Sequence, residues 1–169
     1  VRAPRLVACD TMNFWIDGKR EALLRTLKHV DLLIINEAEV RQLANEPNLV
    51  KAAAIVRGYG PRTLVVKRGE YGVLMFSEGS IFAAPAYPLE DVFDPTGAGD
   101  TFAGGFIGFL AANQNIDEQT MRKASVFGTV MASFTVETFS LDRLRELDYR
   151  QIADRYKKIK LLTDFADLD

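Results

Sequence analysis

Short, unbroken apolar runs alternate along this chain with stretches whose apolar residues recur every three or four positions. The first pattern suits a strand covered on both faces, the second a helix with one buried stripe. Leu6–Asp10 is the first expected strand. Leu23, Leu27 and Val30 recur at i, i+4 and i+7, which predicts a helix over Arg20–Val30. Asp31–Asn36 (DLLIIN) is a continuous apolar run and reads as a buried strand. Glu37–Ala44 predicts a short helix, and Pro47 separates it from another over Leu49–Tyr59, which Gly58 and Gly60 end. Leu64-Val65-Val66 is the next strand. Gly72–Ser77 and Ser80–Pro85, parted by Glu78-Gly79, have hairpin spacing. Helix-length segments follow at Gly97–Ala112 and Asp117–Val136. Ser140 and Asp148 are the expected N-caps of the last helical turns, Asp148 with Gln151 three residues on as a capping box. Strands alternating with helices predict an α/β fold with a mostly parallel sheet flanked by helices. With no repeat and no Pro/Gly linker, residues 1–169 read as a single domain. The acidic tail Thr163–Asp169 is expected to fray.

Composition narrows the function. An apolar content of 48% over 169 residues is enough for a real core. Twenty-one basic against 23 acidic side chains give a net charge of −2, which offers no field to attract nucleic acid or anionic lipid. The longest uncharged stretch, Thr101 to Ile116, contains Asn113, Gln114 and Asn115 and falls short of the ~20 apolar residues that span a bilayer. Cys9 is the sole cysteine, so no internal disulfide or thiol cluster forms, and it reads as strand filling. His29 is the only histidine, which excludes a multi-histidine metal site within the chain, and it reads as the end of a helix. No charged-then-apolar leader opens the chain, and the expected setting is cytoplasmic. The chain runs from Val1-Arg2-Ala3-Pro4 almost directly into a strand, as a piece of a longer protein would.

The chemistry concentrates in Asp94-Pro95-Thr96-Gly97-Ala98-Gly99-Asp100-Thr101-Phe102-Ala103-Gly104-Gly105. Gly97, Ala98 and Gly99 have almost no side chains, so successive backbone N–H groups can turn toward one point at the start of a helix. Such an end carries unpaired donors and about half a positive charge, which suits phosphate. A carboxylate at Asp100 would repel phosphate, so its presence asks for a task, and accepting a proton from an attacking hydroxyl is one. Phe102 occupies the third glycine position of a dinucleotide fingerprint, and no Gly-Lys-Ser/Thr of a P-loop follows.

This string resembles the C-terminal signature of the ribokinase-like (PfkB-type) carbohydrate kinases, whose pattern is Asp-x-x-x-Ala/Gly-Gly-Asp-Thr-Phe followed by small residues. Three further places agree in order. Asn36-Glu37-Ala38-Glu39 resembles the family's Asn-x-x-Glu element, which orders Mg²⁺ and phosphate-bound water; alone it would be a helix start. Lys67-Arg68-Gly69-Glu70-Tyr71-Gly72 resembles its Thr/Lys-x-Gly-x-x-Gly turn along the nucleotide. Phe127-Gly128 falls where the family sets residues against adenine; alone, Phe127 would be core. The resemblance also implies that Asp94 and Thr96 help hold a monovalent cation, K⁺ in many members. Asp10-Thr11-Met12-Asn13-Phe14-Trp15 stands where the family often has Asp-x-Asn-x-Arg, with one extra residue and an aromatic in place of the arginine.

The resemblance implies a ribokinase-like fold lacking its N-terminal half and lid, the parts that carry most sugar contacts and often mediate dimerisation. It implies ATP-dependent phosphoryl transfer to a sugar or small polyol, with Asp100 as general base, the backbone at Gly97, Ala98 and Gly99 as anion hole, and a homodimeric parent. Lys67, Gly69, Gly72, Phe127 and Gly128 would bind ATP, and Asn36 and Glu39 would position Mg²⁺ through water. The chain by itself is expected to be inactive. Two alternatives stay open: a kinase of nucleosides or vitamin alcohols, or a non-catalytic nucleotide-binding module.

Overall fold

Three strands, β1 (Ala8–Asp10), β2 (Leu32–Asn36) and β3 (Thr63–Lys67), pair in parallel in the computed structural model, which describes residues 3–166 and 168. Asp167 and Asp169, in the tail expected to fray, lie outside the described residues. Leu32, Leu33, Ile34, Ile35, Leu64, Val65 and Val66 are all buried, as strands covered on both faces require. β1 is shorter than the apolar run predicts. The Val7 N–H goes to the Asp31 carboxylate (2.9 Å) instead of a backbone carbonyl, and the ladder starts one residue later. After a single 3₁₀ turn at Gly69–Tyr71 come β4 (Val73–Ser77) and β5 (Ser80–Ala84), joined by Glu78-Gly79 as an antiparallel hairpin. The sheet order is β1-β2-β3-β4-β5. The result is an α/β fold with a mixed, mostly parallel sheet.

The described chain forms two compact units, Val1–Arg68 with Leu74–Phe82, and Gly69–Val73 with Ala83–Asp169. In the first, α1 (Asn13–Gly18), α2 (Arg20–Leu27), α3 (Glu37–Ala44) and α4 (Leu49–Arg57) pack apolar stripes against the strands. Ile16, Leu23, Leu27, Val40, Leu43, Ala52, Ala53 and Val56 join the strand residues in one core. The α1 turn has no counterpart in the sequence expectation, because a single buried Ile16 in six residues is too short a period to read. α2 closes early: the N–H groups of His29 and Val30 bond back to Thr26 and Leu27, leaving His29 exposed in the turn after the helix.

The second unit holds α5 (Ala98–Ala111), α6 (Glu118–Thr135), α7 (Asp142–Arg145) and α8 (Tyr149–Leu161). Asp148 and Gln151 form the expected capping box on α8. Ser140 is not a cap: it has φ 56°, in the left-handed region, and α7 starts at Leu141 without a side-chain cap. No helix among the described residues is long and apolar enough to cross a membrane.

The α5–α6 contact depends on Gly128. A Cβ there would stand 2.8 Å from the Phe102 carbonyl oxygen and 3.1 Å from its ring. Gly104, also on α5, faces open space. Gly128→Ala is therefore expected to destabilise the fold by about 1–3 kcal/mol through overpacking, while Gly104→Ala gains up to ~1 kcal/mol of helix propensity. Urea unfolding of the two variants measures the difference, and equal midpoints would contradict this packing.

Candidate active site

Parallel pairing brings the C-terminal ends of β1, β2 and β3 to one edge of the first unit, where Asp10, Asn36 and Lys67 are the last strand residues. Asn36 pairs with Lys67 across the ladder. The Lys67 ammonium donates to Asp10 Oδ2 at 3.0 Å, and Asp10 Oδ1 accepts the Thr11 N–H at 2.8 Å. Asn36 caps α3: its Oδ1 accepts the Glu39 N–H at 2.8 Å, and Glu39 Oε2 accepts the Asn36 N–H at 3.2 Å. Glu39 is only 6% exposed. Burial pushes its carboxyl above the usual range, against the pull of the Asn36 N–H and the Lys67 charge, and nearby Asp10 adds to the rise. Its neighbour Glu37 goes the other way, held low by hydrogen bonds from Arg41 and Arg68. Asn36, Glu39 and Lys67 thus come together with Asp10, each already in a bond: the start of α3 and the Asn-x-x-Glu element are the same residues.

Gly69 (φ 57°) and Gly72 (φ 87°) bound the 3₁₀ turn in the second unit. Farther along, Asp94 Oδ1 accepts the Thr96 N–H at 2.9 Å, which holds the Asp94 carboxyl below the usual range. Gly97 follows as the N-cap of α5, with φ 79° and ψ −2°, a left-handed conformation that a side chain would resist. No side chain caps α5, whereas Asn36, Asn48, Asp117 and Asp148 each cap α3, α4, α6 and α8. The Ala98 N–H bonds back to the Pro95 carbonyl at 3.2 Å, while those of Gly99 and Asp100 have no side-chain capping oxygen, so the N-terminal dipole of this 14-residue helix is open to an anion. Asp100 is exposed in that first turn, while Phe102, Phe106 and Leu110 anchor the opposite face. The loop before it is tied to the end of α6: the Phe93 and Asp94 N–H groups donate to the Val136 carbonyl at 2.8 and 3.4 Å.

Phe127 is half-buried, its ring 5.3 Å from that of Phe109, and lines an open groove of about 560 Å³ with Lys123, Tyr149 and Tyr156. Gly128 is buried against Phe102. Trp15 and Phe14 stack edge-on at 5.1 Å and are exposed. Cys9 is half-buried, and burial with the Asp10 charge pushes its thiol up, an inert filler. Two features escape a linear reading. The Asp10–Lys67 pair joins strands that β2 separates, and Glu137 is bound by Arg143 and Arg155. Neither pair has a sequence spacing that announces it.

An uncapped helix N-terminus beside an exposed carboxylate can hold a phosphate and take a proton next to it. The comparisons with known proteins bring out sugar and nucleoside kinases. The chain is 38% identical over 103 residues to a cytidine kinase of Thermococcus kodakarensis, covering 59% of this chain and 37% of that enzyme. It matches the fold of an aminoimidazole riboside kinase from Salmonella enterica, crystallised with its riboside and an ATP analogue (TM-score 0.76, 23% identity, 89% of this chain and 52% of that one). A fructokinase from Vibrio cholerae bound to fructose, ADP and calcium shares the fold at TM-score 0.79 and 17% identity, over 89% of this chain and 50% of that one. The chain thus spans about half, or less, of the length of the proteins it matches. The pattern that defines pfkB family carbohydrate kinases matches residues 7–145, and the chain belongs to that family.

Proposed function

We propose that the protein containing this chain transfers the γ-phosphoryl group of ATP to a hydroxyl of a sugar or related small polyol. The uncapped N-terminus of α5, with Asp100 in its first turn, is the observation that carries this reading. The acceptor oxygen attacks the γ-phosphorus, its proton passes to the Asp100 carboxylate, and the bond to the β-phosphate oxygen breaks to release ADP. The backbone donors at Gly97, Ala98 and Gly99 stabilise the charge on the transferred group, with the helix dipole behind them. Lys67, Gly69 and Gly72 would lie along the nucleotide, and Phe127 would flank the base, with Gly128 allowing α6 its close approach to α5.

Asn36 and Glu39 fit a Mg²⁺ held through water. The Glu39 carboxylate is buried and raised, its Oε2 takes part in the cap, and its surroundings combine two acidic groups with one lysine, so a cation would improve the local balance. Among the described residues no three His, Cys, Asp or Glu side chains are grouped to grip a metal directly, so such an ion would be shared with water and phosphate. Bound Mg²⁺ would neutralise phosphate charge. Asp94, its carboxyl held below the usual range, and Thr96 offer oxygen donors of the hard type a K⁺ ion takes. A second reading, a nucleoside kinase, is favoured by the 38% identity to a cytidine kinase. Either acceptor presents a sugar hydroxyl, and turnover of the whole protein on fructose, ribose, cytidine and adenosine separates them.

Three variants test the reading. In the whole protein, Asp100→Asn should lower kcat by ~10²-fold or more with ATP affinity unchanged or slightly tighter, since a general base contributes roughly 10²–10⁴ and loss of a negative charge favours phosphate. Retention of more than about a tenth of the wild-type kcat would exclude Asp100 as the base. Gly97→Ala forces a side chain into the left-handed region at a cost of about 1–2 kcal/mol, so the loop shifts and nucleotide binding weakens by calorimetry.

The pH test concerns Glu39. Its folded-state carboxyl is raised, so its contribution to stability is fully present below the ordinary carboxylate range and is lost as pH rises through the folded value. Glu39→Gln keeps an acceptor for the cap and removes the charge. Urea unfolding should find the variant as stable as wild type, or more so, at pH 7, with the difference shrinking toward pH ~4 as wild-type Glu39 protonates. The same variant should lose Mg²⁺-dependent tightening of ATP binding; a full Mg²⁺ response would remove Glu39 from the metal site.

A further inference from the structure

The C-terminal end of α6 carries more polar bonding than its own helix needs. Val136, the C-cap, offers one of the carbonyls that lack an intrahelical partner, and that oxygen accepts the N–H groups of Phe93 and Asp94 at 2.8 and 3.4 Å. Asp94 opens the turn that leads through Thr96 to Gly97, the start of the anion hole. The position of that turn therefore depends on where the Val136 carbonyl points.

Glu137, the next residue, is gripped from two elements. Arg155 of α8 donates Nη2 to Glu137 Oε1 at 2.6 Å, and Arg143 of α7 donates Nε to Oε2 at 3.1 Å. All three side chains are mostly covered, with exposures of 22% for Glu137, 15% for Arg155 and 21% for Arg143. Such charge-assisted bonds, partly withdrawn from water, are stronger than surface pairs. Each arginine is further fixed. The Arg155 guanidinium lies 3.5 Å from the centre of the Phe134 ring and 4.6 Å from that of Tyr87, and donates to Ser133 Oγ at 3.1 Å. Arg143 sits 5.2 Å from the centre of the Phe134 ring, and its backbone N–H bonds Thr138 Oγ1 at 3.0 Å. Two cations at the end of α6 also complement its dipole. Residues 133–138 are thus held by two guanidinium groups, with the Glu137 carboxylate as the shared centre.

We infer that Glu137 is a positioning residue: clamped between Arg143 and Arg155, it fixes the Val136 carbonyl and through it the Asp94–Gly97 loop. The inference rests on the reading of that loop as the phosphate site. Without the carboxylate, two like charges face each other over Phe134, the segment after α6 relaxes, and the acceptor of the Phe93 and Asp94 N–H groups moves. α7 and α8, which supply no group to the proposed transfer, acquire through this clamp a bearing on it.

Glu137→Ala tests the inference, with Arg145→Ala as control, since Arg145 pairs on the surface with Asp142 at 3.7 Å and belongs to no part of the clamp. Amide hydrogen exchange of Phe93 and Asp94 should accelerate about tenfold relative to Thr129 and Val130 inside α6, a local opening instead of a global one. A non-hydrolysable ATP analogue with Mg²⁺ should bind the variant of the whole protein about fivefold more weakly, as expected when preorganisation of the loop is lost. If exchange rises uniformly, or not at all, Glu137 has only a structural role and the inference fails. It fails too if the loop loosens while binding matches a wild type that binds. If wild type itself binds no analogue, the phosphate reading is what fails, and the exchange comparison alone decides the positioning. Should Glu137→Ala not fold, Arg155→Lys keeps the charge and removes the second donor of the guanidinium fork; it should show the same selective exchange at smaller amplitude.

Discussion

Parallel pairing of three short strands, two of them buried, is the constraint on which the first unit rests. Because β1, β2 and β3 run the same way, their last residues, Asp10, Asn36 and Lys67, share one edge, and every connection must return through a helix. The interiors of β2 and β3 are Leu, Ile and Val on both faces, so their charged and amide side chains appear only where the strands stop. The polar cluster at that edge is a consequence of the pairing. Asp10 and Lys67 neutralise one another over the intervening strand, and Asn36 and Glu39 close the first turn of α3.

The second unit works by leaving something undone. Capping oxygens from Asn or Asp side chains close α3, α4, α6 and α8, each worth about 1 kcal/mol, while α5 begins at a left-handed Gly97 with no such oxygen. A 14-residue helix with no side-chain cap keeps its partial positive charge at that end. Stability is recovered along the helix instead, through Phe102, Phe106 and Leu110 and the close approach to α6 at Gly128. The loop that leads to Gly97 is bonded to the Val136 carbonyl through the Phe93 and Asp94 N–H groups, which ties it to the end of α6.

Membership of the family leaves the acceptor undecided. In the proposed reading the groups named above concern phosphate, metal and nucleotide. Discrimination between a sugar and a nucleoside would come from side chains that meet the acceptor itself, and a kinase can share its phosphate machinery while differing entirely in those.

Periodicity alone determined most of the elements. α3 spans the residues its pattern indicates, each hairpin strand is one residue shorter at its outer end, and α5 and α6 are one residue shorter at both ends, because apolar spacing, Gly breaks and capping residues act locally. The Gly97–Asp100 segment stood out as a candidate site for the same reason: its backbone N–H groups and its carboxylate are consecutive in the chain. What the sequence alone could not determine was any interaction between segments far apart. Asp10 met Lys67 only after two parallel registers were set, and Asp31 shortened β1 by capturing the Val7 N–H. Ser140 looked like a cap but took the left-handed conformation at the bend before α7. Gly128 proved to be the floor for Phe102, and Glu137 found Arg143 and Arg155 on two later helices. Local spacing carries information over a turn or two of helix. Which charges face one another, and which glycine must stay bare, depends on how the elements stack, and that is decided by packing the whole unit at once.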